Sequence, residues 1–498
     1  MTTEQSSPNA PGTTASPTSA QMIIGGEGVD AADGQTFDVV NPATGKVIAK
    51  APLGGREDVD RAVAAAQKAF EDRKGWANWA AGKRGRTLSK FAALVKQNSE
   101  ELAQLETANV GKPITSSRGE VVGASLVFDY YAGAANKIFG QTIPVSKPGI
   151  DLTLREPIGV VGLIVPWNFP ILMASWKLGP ALAAGNACIL KPASYSPLTA
   201  IRLGELALEA GIPAGIVNVV TGPGGTAGAS IAAHPGIGKV AFTGETTTGQ
   251  EIMRLASANV KKISLELGGK SPNIVFADAD LEKFAKESPY SVFDNCGQDC
   301  CARSRILVER SAHDRVVELF AEATRKVKVG DPVDDATEVG TLVSAKQRDR
   351  VKDYIEIGLG EGATLVVGGT APDDPALADG AYLLPTVFDG VDNDMRIARE
   401  EIFGPVVSII AFDSEEEALR LANATPYGLS GSIWSRDIGK ALRAAKGLQA
   451  GVISVNSNSS VHTEAPFGGY KMSGIGRELG MSALDLYTET KNVFIDIG

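Results

Sequence analysis

One cysteine of this sequence lies in a setting that suits covalent chemistry. Cys300 follows the pair Gly297-Gln298, which lets the backbone approach a ligand closely and places an amide beside the thiol. Upstream, Glu266 is followed closely by the glycines Gly268-Gly269. A lone cysteine is more often a small buried hydrophobe. A thiol nucleophile combined with a carboxylate base, however, is what acyl chemistry through a thioester requires.

A short apolar run places a third polar group at the end of a predicted strand. Residues 160–165 are Val-Val-Gly-Leu-Ile-Val, which is typical of a buried strand, and Pro166 ends the run. Asn168 follows at the mouth of this strand. Its side-chain amide can donate a hydrogen bond to an oxyanion, so the three groups together favour attack on a carbonyl carbon.

Repeated strand–helix units are predicted to position these residues in a doubly wound parallel sheet. The predicted strands of the first unit are Gly159–Val165, Ala187–Lys191, Val217–Thr221 and Lys239–Thr243, and its predicted helices are Glu57–Phe70, Gly82–Asn109, Ile171–Ala184, Leu198–Ala210, Gly225–Ala233 and one beginning near Thr247. From Ile274 a second α/β unit is predicted, and it includes a long helix over Asp280–Cys296.

Composition excludes several classes of protein. The 498 residues carry a net charge of −10, which argues against a nucleic-acid partner, and no apolar run approaches the length of a membrane span. Residues 1–20 are rich in Ser, Thr, Pro and Ala, which predicts a disordered tail and not a signal peptide. Four cysteines, three of them in one loop, fit a reducing compartment, so we expect a cytoplasmic protein.

Six motifs, in this order, resemble those of the aldehyde dehydrogenase superfamily. They are Pro166-Trp167-Asn168-Phe169-Pro170, Phe242-Thr243-Gly244, Glu266-Leu267-Gly268-Gly269-Lys270, Gly297-Gln298-Asp299-Cys300, Glu401-Ile402-Phe403-Gly404-Pro405 and Pro466-Phe467-Gly468-Gly469. The resemblance runs from about Gln21 to Gly498. It implies NAD(P)-dependent oxidation of an aldehyde to its carboxylic acid.

The resemblance also implies the domain plan. We expect an α/β protein with two doubly wound parallel-sheet domains, a Rossmann-like cofactor domain and a catalytic domain, plus a small β oligomerisation arm. The expected boundaries are a tail at 1–20, a cofactor-binding domain at 21–136 and 156–266, a catalytic domain at 267–482, and an arm at 137–155 and 483–498. An arm of this kind implies a homodimer or homotetramer.

Four residues are expected to carry the catalysis. By resemblance, the Cys300 thiolate attacks the aldehyde, Asn168 stabilises the oxyanion, and Glu266 activates the water that releases the acid. The glutamate favours hydrolysis over transfer to coenzyme A, because the acylating branch lacks it. Lys177, on the next helix, either joins a proton path or is solvated at the edge of the core.

The resemblance assigns cofactor contacts along the same strand ends. Thr243, Gly244 and Glu245 begin the helix that would hold the pyrophosphate, and Glu245 replaces a usual serine, so we expect its carboxylate to point towards solvent. Gly224 belongs to a Gly-x-Gly-x-x-Ala fingerprint that is equally compatible with a plain turn. The other expected contacts are Ile164, Pro166, Trp167, Lys191, Ser194, Gln347, Glu401 and Phe403.

Ser194 bears on the choice of cofactor. NAD-preferring members often carry glutamate at this position, which repels the 2′-phosphate of NADP. With Ser194 next to the Lys191-Pro192-Ala193 segment, NAD is expected to be the cofactor and NADP to be tolerated.

The expected aldehyde tunnel combines apolar residues with two acids. Its residues are Phe169, Leu172, Met173, Trp176, Asp294, Asp299 and Val461. An acid beside a catalytic thiol opposes thiolate formation unless it serves another purpose, such as binding a substrate amine. We therefore predict an ω-aminoaldehyde such as 4-aminobutanal, in line with the resemblance of Gly297-Gln298-Asp299-Cys300 to γ-aminobutyraldehyde dehydrogenases.

Several alternatives remain open at this point. The substrate could be betaine aldehyde or a broad range of aliphatic aldehydes, and Asp299 could instead form a local salt bridge. Succinate semialdehyde is disfavoured, because enzymes for it carry a basic residue at the position of Trp176. A cysteine hydrolase lacks its imidazole here, and a catalytically silent binding protein would have no need of the catalytic set. Only His234, His313 and His462 are present, without metal-ligand spacing, so no zinc site is expected.

Overall fold

The computed structural model describes residues 18–459 and 461–498. In this part of the chain, the first α/β unit is an eight-stranded sheet. In spatial order its strands are Gly474–Ile475, Lys262–Glu266, Lys239–Thr243, Val160–Ile164, Ala187–Lys191, Val217–Val219, Met22–Ile24 and Glu27–Val29. The five central strands are parallel, which confirms the predicted doubly wound core, while antiparallel strands close both edges.

The register of this sheet brings the ends of its strands together. Glu266 pairs with Thr243, and Ile164 pairs with Phe242 on one side and Lys191 on the other. Because these strands are parallel, the residues that follow them gather at one edge, where open α/β sheets bind ligands. The edge strand Gly474–Ile475 belongs to this sheet, although the sequence places residues 267–482 in the second unit.

Helices cover both faces of this sheet. Their bounds are Arg56–Glu71, Ala81–Gln97, Ser99–Val110, Ile114–Ala134, Pro170–Ala184, Leu198–Glu209, Ala229–Ala233 and Thr246–Ala256. The helix predicted over Gly82–Asn109 is wrong, because the chain breaks into two helices at Asn98, whose side chain bonds back to Leu94. The helix Ile114–Ala134 was not predicted.

The second unit is a seven-stranded sheet with one antiparallel edge strand. In spatial order its strands are Thr364–Val367, Thr386–Asp389, Val406–Phe412, Arg305–Glu309, Pro272–Val275, Ser430–Trp434 and Val452–Val455. Its helices are Leu281–Glu287, Tyr290–Phe293, His313–Arg325, Ala345–Gly360, Arg396–Arg399, Glu415–Asn423 and Ile438–Gly447.

The long helix predicted over Asp280–Cys296 is also wrong. Helices Leu281–Glu287 and Tyr290–Phe293 are separate, because Pro289 cannot donate a backbone hydrogen bond within a continuous helix. Beyond them, Asn295 and Cys296 have φ values of +49° and +57°, which no right-handed helix accepts. This turn aims the following loop, and with it Cys300, at the first sheet.

A third sheet has three strands, none of which pairs with a strand of the first or second sheet. It consists of Thr142–Ile143, Ile150–Pro157 and Thr488–Ile495, all antiparallel. The C-terminal strand was predicted to need a partner, and it pairs along its whole length with Ile150–Pro157. Phe139 beside this sheet is 74% exposed, and Phe494 on it is 41% exposed.

The end of the predicted N-terminal tail pairs with another strand. Thr18–Ser19 form a short strand against Val47–Pro52, which also pairs with Thr36–Val40, because backbone pairing is available there whatever the side chains. Residues 1–17 of the predicted tail lie outside the described residues. None of the helices in residues 18–459 and 461–498 is long and apolar enough to cross a bilayer.

Candidate active site

A cleft lies at the carboxyl edge of the first sheet. Its lining residues come from both units and include most of the predicted site: Pro166, Trp167, Asn168, Met173, Thr243, Gly244, Glu245, Glu266, Gly268, Cys300, Gln347, Arg350, Glu401 and Phe403. The fold therefore brings the predicted thiol, carboxylate and amide into one cavity.

Cys300 and Glu266 lie beside each other in the cleft. Glu266 is 3% exposed, and neither carboxylate oxygen has a hydrogen-bond partner among the described residues. Burial raises the pKa of Glu266 to about 8, and Glu478 adds to the rise, whereas Lys177 and the nearby Cys300 thiol oppose it. The Cys301 thiol, burial and the charge of Glu266 raise the pKa of Cys300 well above its usual value. This arrangement suits a carboxylate that takes a proton.

The Asn168 amide is held in a fixed orientation. Its Nδ2 donates to the carbonyl of Gln298 at 3.0 Å, and its own backbone carbonyl accepts from Asn295 Nδ2 at 2.8 Å. An amide nitrogen has two hydrogens, so one remains for a ligand in the cleft. Gln298, two residues before Cys300, is itself fixed, because its Nε2 donates to the carbonyls of Asn295 and Thr341. The Asn168 amide is therefore a preorganised donor.

Lys177 is fully buried and does not reach solvent. Its Nζ donates to Thr243 Oγ1 at 2.7 Å and forms an ion pair with Glu478. The sequence alternative in which Lys177 is solvated at the edge of the core is therefore excluded. The pair Lys177–Glu478 adjoins Glu266 closely enough for both charges to act on its pKa.

Two glycines and a carboxylate shape the far end of the cleft. Glu401 Oε1 accepts from the Gly269 N–H at 3.0 Å. A Cβ on Gly268 would lie 2.2 Å from Glu401 Oε2, so a larger residue here would displace the Glu401 carboxylate. Burial raises the pKa of Glu401 to about 7, while the Gly269 N–H, Lys270 and Arg350 act in the opposite direction.

Aromatic rings form one wall of the same end. Phe403 meets Trp167 edge to face, with ring centroids 5.2 Å apart. Phe403 has a φ of +57°, and Gln347 Nε2 donates to its carbonyl at 2.9 Å. The Gln347 bond thus holds Phe403 in a strained backbone conformation, a feature common at ligand sites.

The helix Thr246–Ala256 points its amino end into the cleft. Thr246 is 8% exposed, and its Oγ1 has no hydrogen-bond partner in the described part of the chain. Glu245 caps this helix without a side-chain hydrogen bond and is exposed, as expected, although it also lines the cleft. Free N–H groups and an unpaired hydroxyl form a good anion site.

Four expected cofactor residues are not part of the cleft lining. Ser194 Oγ donates to the Gly222 carbonyl at 3.1 Å. The buried Lys191 donates to the Pro192 carbonyl at 2.9 Å, and burial lowers its pKa to about 8. Gly224 is exposed with open space at its Cβ position. Ile164 ends its strand in the buried core.

The apolar tunnel residues lie along the helix Pro170–Ala184 and just before it. Met173 lines the cleft, and Trp176 packs edge to face on Phe467 with centroids 5.1 Å apart. The ammonium of Lys112 lies over the ring of Phe169, 4.4 Å from its centroid. Lys112 is fully buried and paired with Glu120, which places a built-in cation beside the expected tunnel.

The two expected acids differ in their surroundings. Asp299 is half-buried, and its Oδ1 accepts from the Cys301 N–H at 2.9 Å. Burial raises the pKa of Asp299, while the Cys301 N–H and Arg303 act against the rise. Asp294 is exposed, as is Val461. Asp299 is thus the acid that lies directly beside Cys300.

Comparison with known proteins agrees with this geometry. Residues 29–493 match the model of the Aldehyde dehydrogenase family. The chain is 45% identical over 477 residues to betaine aldehyde dehydrogenase of Bacillus subtilis, covering 96% of this chain and 97% of that one. The chain belongs to the aldehyde dehydrogenase family. It is therefore an NAD(P)-dependent oxidoreductase that acts on aldehydes.

Solved structures of this family superpose closely on the enzyme. Betaine aldehyde dehydrogenase of Staphylococcus aureus in complex with NAD+ has a TM-score of 0.94 at 41% identity, covering 96% of this chain and 95% of that chain. Indole-3-acetaldehyde dehydrogenase of P. syringae, in complex with NAD+ and IAA, has a TM-score of 0.94 at 46% identity, covering 96% of each chain. These matches confirm the α/β architecture.

The enzyme also has site residues that the sequence analysis missed. Arg350 lies one helical turn after Gln347 and lines the cleft, and that spacing is a signal that could have identified it. Glu478 and Lys112 reach the site from distant segments, and nothing in their local sequence indicates this.

Proposed function

We propose that this enzyme oxidises an aldehyde to its carboxylic acid with NAD, through a thioester on Cys300. The observation that carries the proposal is the convergence of Cys300, Glu266 and Asn168 in one cleft. In the proposed mechanism the Cys300 sulfur attacks the aldehyde carbon, and the free hydrogen of the Asn168 amide stabilises the resulting oxyanion. Glu266 then removes a proton from the water that attacks the thioester.

The cleft fits a nicotinamide dinucleotide. Bound NAD+ supplies the hydride acceptor for this chemistry. The unpaired Thr246 hydroxyl and the helix end beside it suit the pyrophosphate. The Glu401 carboxylate, which lies against Gly268 where there is no side chain, suits the ribose hydroxyls. Two similar aldehyde dehydrogenases have been crystallised with NAD+, which supports the same cofactor here.

Cofactor preference tests the position of Ser194. We expect Ser194→Glu to lower kcat/KM with NADP by roughly 10–100-fold relative to NAD, because a carboxylate repels the 2′-phosphate and accepts hydrogen bonds from the ribose. Steady-state kinetics with both cofactors measure this ratio. Ser194→Gln, which has the same shape without the charge, is the matched control. Equal use of NADP by the glutamate variant and the parent would place Ser194 away from the ribose.

We further propose that the aldehyde carries a positive charge, with ω-aminoaldehydes such as 4-aminobutanal as preferred substrates. The supporting observation is Asp299, whose carboxylate adjoins Cys300 and raises the pKa of that thiol after the larger effects of Cys301, burial and Glu266. An acid that hinders the nucleophile is understandable if it binds a substrate cation. Betaine aldehyde is the second candidate, because it is cationic and the similar protein of Bacillus subtilis is a betaine aldehyde dehydrogenase.

Removing the charge of Asp299 tests this substrate class. We expect Asp299→Asn to reduce kcat/KM for 4-aminobutanal by roughly 5–150-fold, since a partly desolvated charge pair contributes about 1–3 kcal/mol. The value for butanal should change little, because asparagine keeps an acceptor for the Cys301 N–H. Asp294→Asn, at the exposed acid, is the control and should have a smaller effect. A parent enzyme that prefers butanal, or equal losses on both substrates, would argue against the amine.

We propose that the two α/β units divide the work. The first, residues 21–136 and 156–266, holds the cofactor, and the second, residues 267–482, provides Cys300. The third sheet, with its exposed Leu154 and Phe494 and the exposed Phe139 beside it, is proposed to join copies of the chain into a homodimer or homotetramer. All four cysteines are free, which supports a cytoplasmic setting.

A further inference from the structure

Three successive residues at the nucleophile turn their side chains towards one point. One carboxylate oxygen of Asp299 and the sulfurs of Cys300 and Cys301 all lie within 4.8 Å of one another. Neighbouring side chains normally diverge. Here Asp299 Oδ1 accepts the Cys301 N–H at 2.9 Å and the Asp299 carbonyl accepts the Ala302 N–H at 3.1 Å, so the chain folds back on itself.

The buried base Glu266 adjoins this donor set without belonging to it. Glu266 lies beside the Cys300 sulfur, is 3% exposed, and has two carboxylate oxygens without a hydrogen-bond partner among the described residues. Buried, unpartnered acceptors are costly and call for an explanation, such as a catalytic role or a bound ion nearby. Two sulfurs with carboxylate oxygens suit Zn²⁺, whereas Mg²⁺ and Ca²⁺ prefer oxygen alone.

We propose that Asp299, Cys300 and Cys301 form a binding site for Zn²⁺, and that Zn²⁺ bound there reversibly inhibits the enzyme. On binding, each thiol releases its proton to solvent and both sulfurs coordinate the ion as thiolates. Two thiolates, the Asp299 carboxylate, Zn²⁺ and the neighbouring Arg303 guanidinium sum to no net charge. The remaining tetrahedral position is open to a water molecule.

Such a site differs from a resident zinc centre. The three histidines contribute no ligand, so this cysteine-based site departs from the expectation of no zinc site, and one of its donors, the Cys300 sulfur, is the group that turnover itself requires. Zn²⁺ and the aldehyde therefore compete for the same sulfur. The cofactor end of the cleft, at Glu401 and Phe403, is left free, so cofactor binding should persist in the inhibited enzyme.

Direct binding to the full-length enzyme tests the site without any substrate. Isothermal titration with Zn²⁺ gives affinity and stoichiometry, and titration with Cd²⁺ reports thiolate ligation through its ultraviolet charge-transfer band. We expect one ion per chain and a thiolate band for the parent. Cys301→Ser and Asp299→Asn should each weaken Zn²⁺ binding by more than about tenfold, because each removes or weakens a direct ligand.

Cys188→Ala is the matched control, because Cys188 is a buried thiol in the strand Ala187–Lys191, away from the cleft. It should bind Zn²⁺ as the parent does, and circular dichroism shows whether each variant is folded. In parallel, Zn²⁺ should protect Cys300 from alkylation in the parent and not in Cys301→Ser. Unchanged Zn²⁺ affinity in folded Cys301→Ser, or Cd²⁺ binding without a thiolate band, would overturn the site. Neither result would bear on the thioester mechanism.

Discussion

Cys300→Ala should abolish aldehyde oxidation, lowering kcat by at least about 10⁴-fold, because no other described side chain in the cleft offers a thiol to form the thioester. The measurement is NADH formation with 4-aminobutanal and with butanal, so that the result does not depend on the preferred substrate. Loss with both aldehydes is expected, since the covalent step is common to every aldehyde.

Cofactor binding separates this effect from unfolding. The cofactor end of the cleft is lined by Glu401, Phe403 and Gly244, none of which contacts the deleted sulfur in the described hydrogen bonds. Cys300→Ala should therefore bind NADH as the parent does. Fluorescence energy transfer from Trp167, in the cleft wall, to bound NADH measures this binding. Cys188→Ala controls for the loss of a thiol elsewhere. Substantial turnover by Cys300→Ala with either aldehyde would exclude covalent catalysis by this residue.

Much of the fold was accessible from sequence because its signals are local. The run at 160–165 and the strand Lys239–Thr243 are short, apolar and followed by helices, so period and length alone identify them. The errors occur where tertiary contacts decide. The predicted helix Asp280–Cys296 ends early because Pro289 separates two short helices and Asn295 and Cys296 adopt positive φ, next to Gly297, where a Cβ would lie 2.2 Å from the Gly404 carbonyl oxygen.

The site shows the same division. Cys300, Glu266 and Asn168 follow strand ends or lie in glycine-rich motifs, so their types and order carry information, and the cleft contains all three. Glu478 and Lys112 act through ion pairs with Lys177 and Glu120, and such pairs depend on distances that no sequence spacing encodes. Electrostatic partners of a buried carboxylate are therefore found only once the chain is folded.

Glu266→Gln should separate the two halves of the reaction. Glutamine fills the same space but cannot accept a proton, so attack on the carbonyl carbon and thioester formation should continue while hydrolysis slows by roughly 10²–10⁴-fold. Rapid mixing with aldehyde should then show a burst of about one NADH per active site, followed by a slow steady state. Glu400→Gln is the control, because Glu400 bonds to Arg396 and Tyr354 and is not part of the cleft lining.

The pH dependence gives an independent check on the same residue. Burial raises the pKa of Glu266 to about 8, helped by Glu478, so at neutral pH the carboxyl is mostly protonated and unable to act as a base. Steady-state turnover limited by hydrolysis should therefore rise with pH through about 8 in the parent, and Glu266→Gln should lose this rise. A glutamine variant without a burst, in which both phases are equally slow, would instead place Glu266 before thioester formation, as the base that takes the Cys300 proton. That outcome is physically accessible because the same carboxylate adjoins the thiol, and for this reason the burst, more than the overall loss of rate, decides its role.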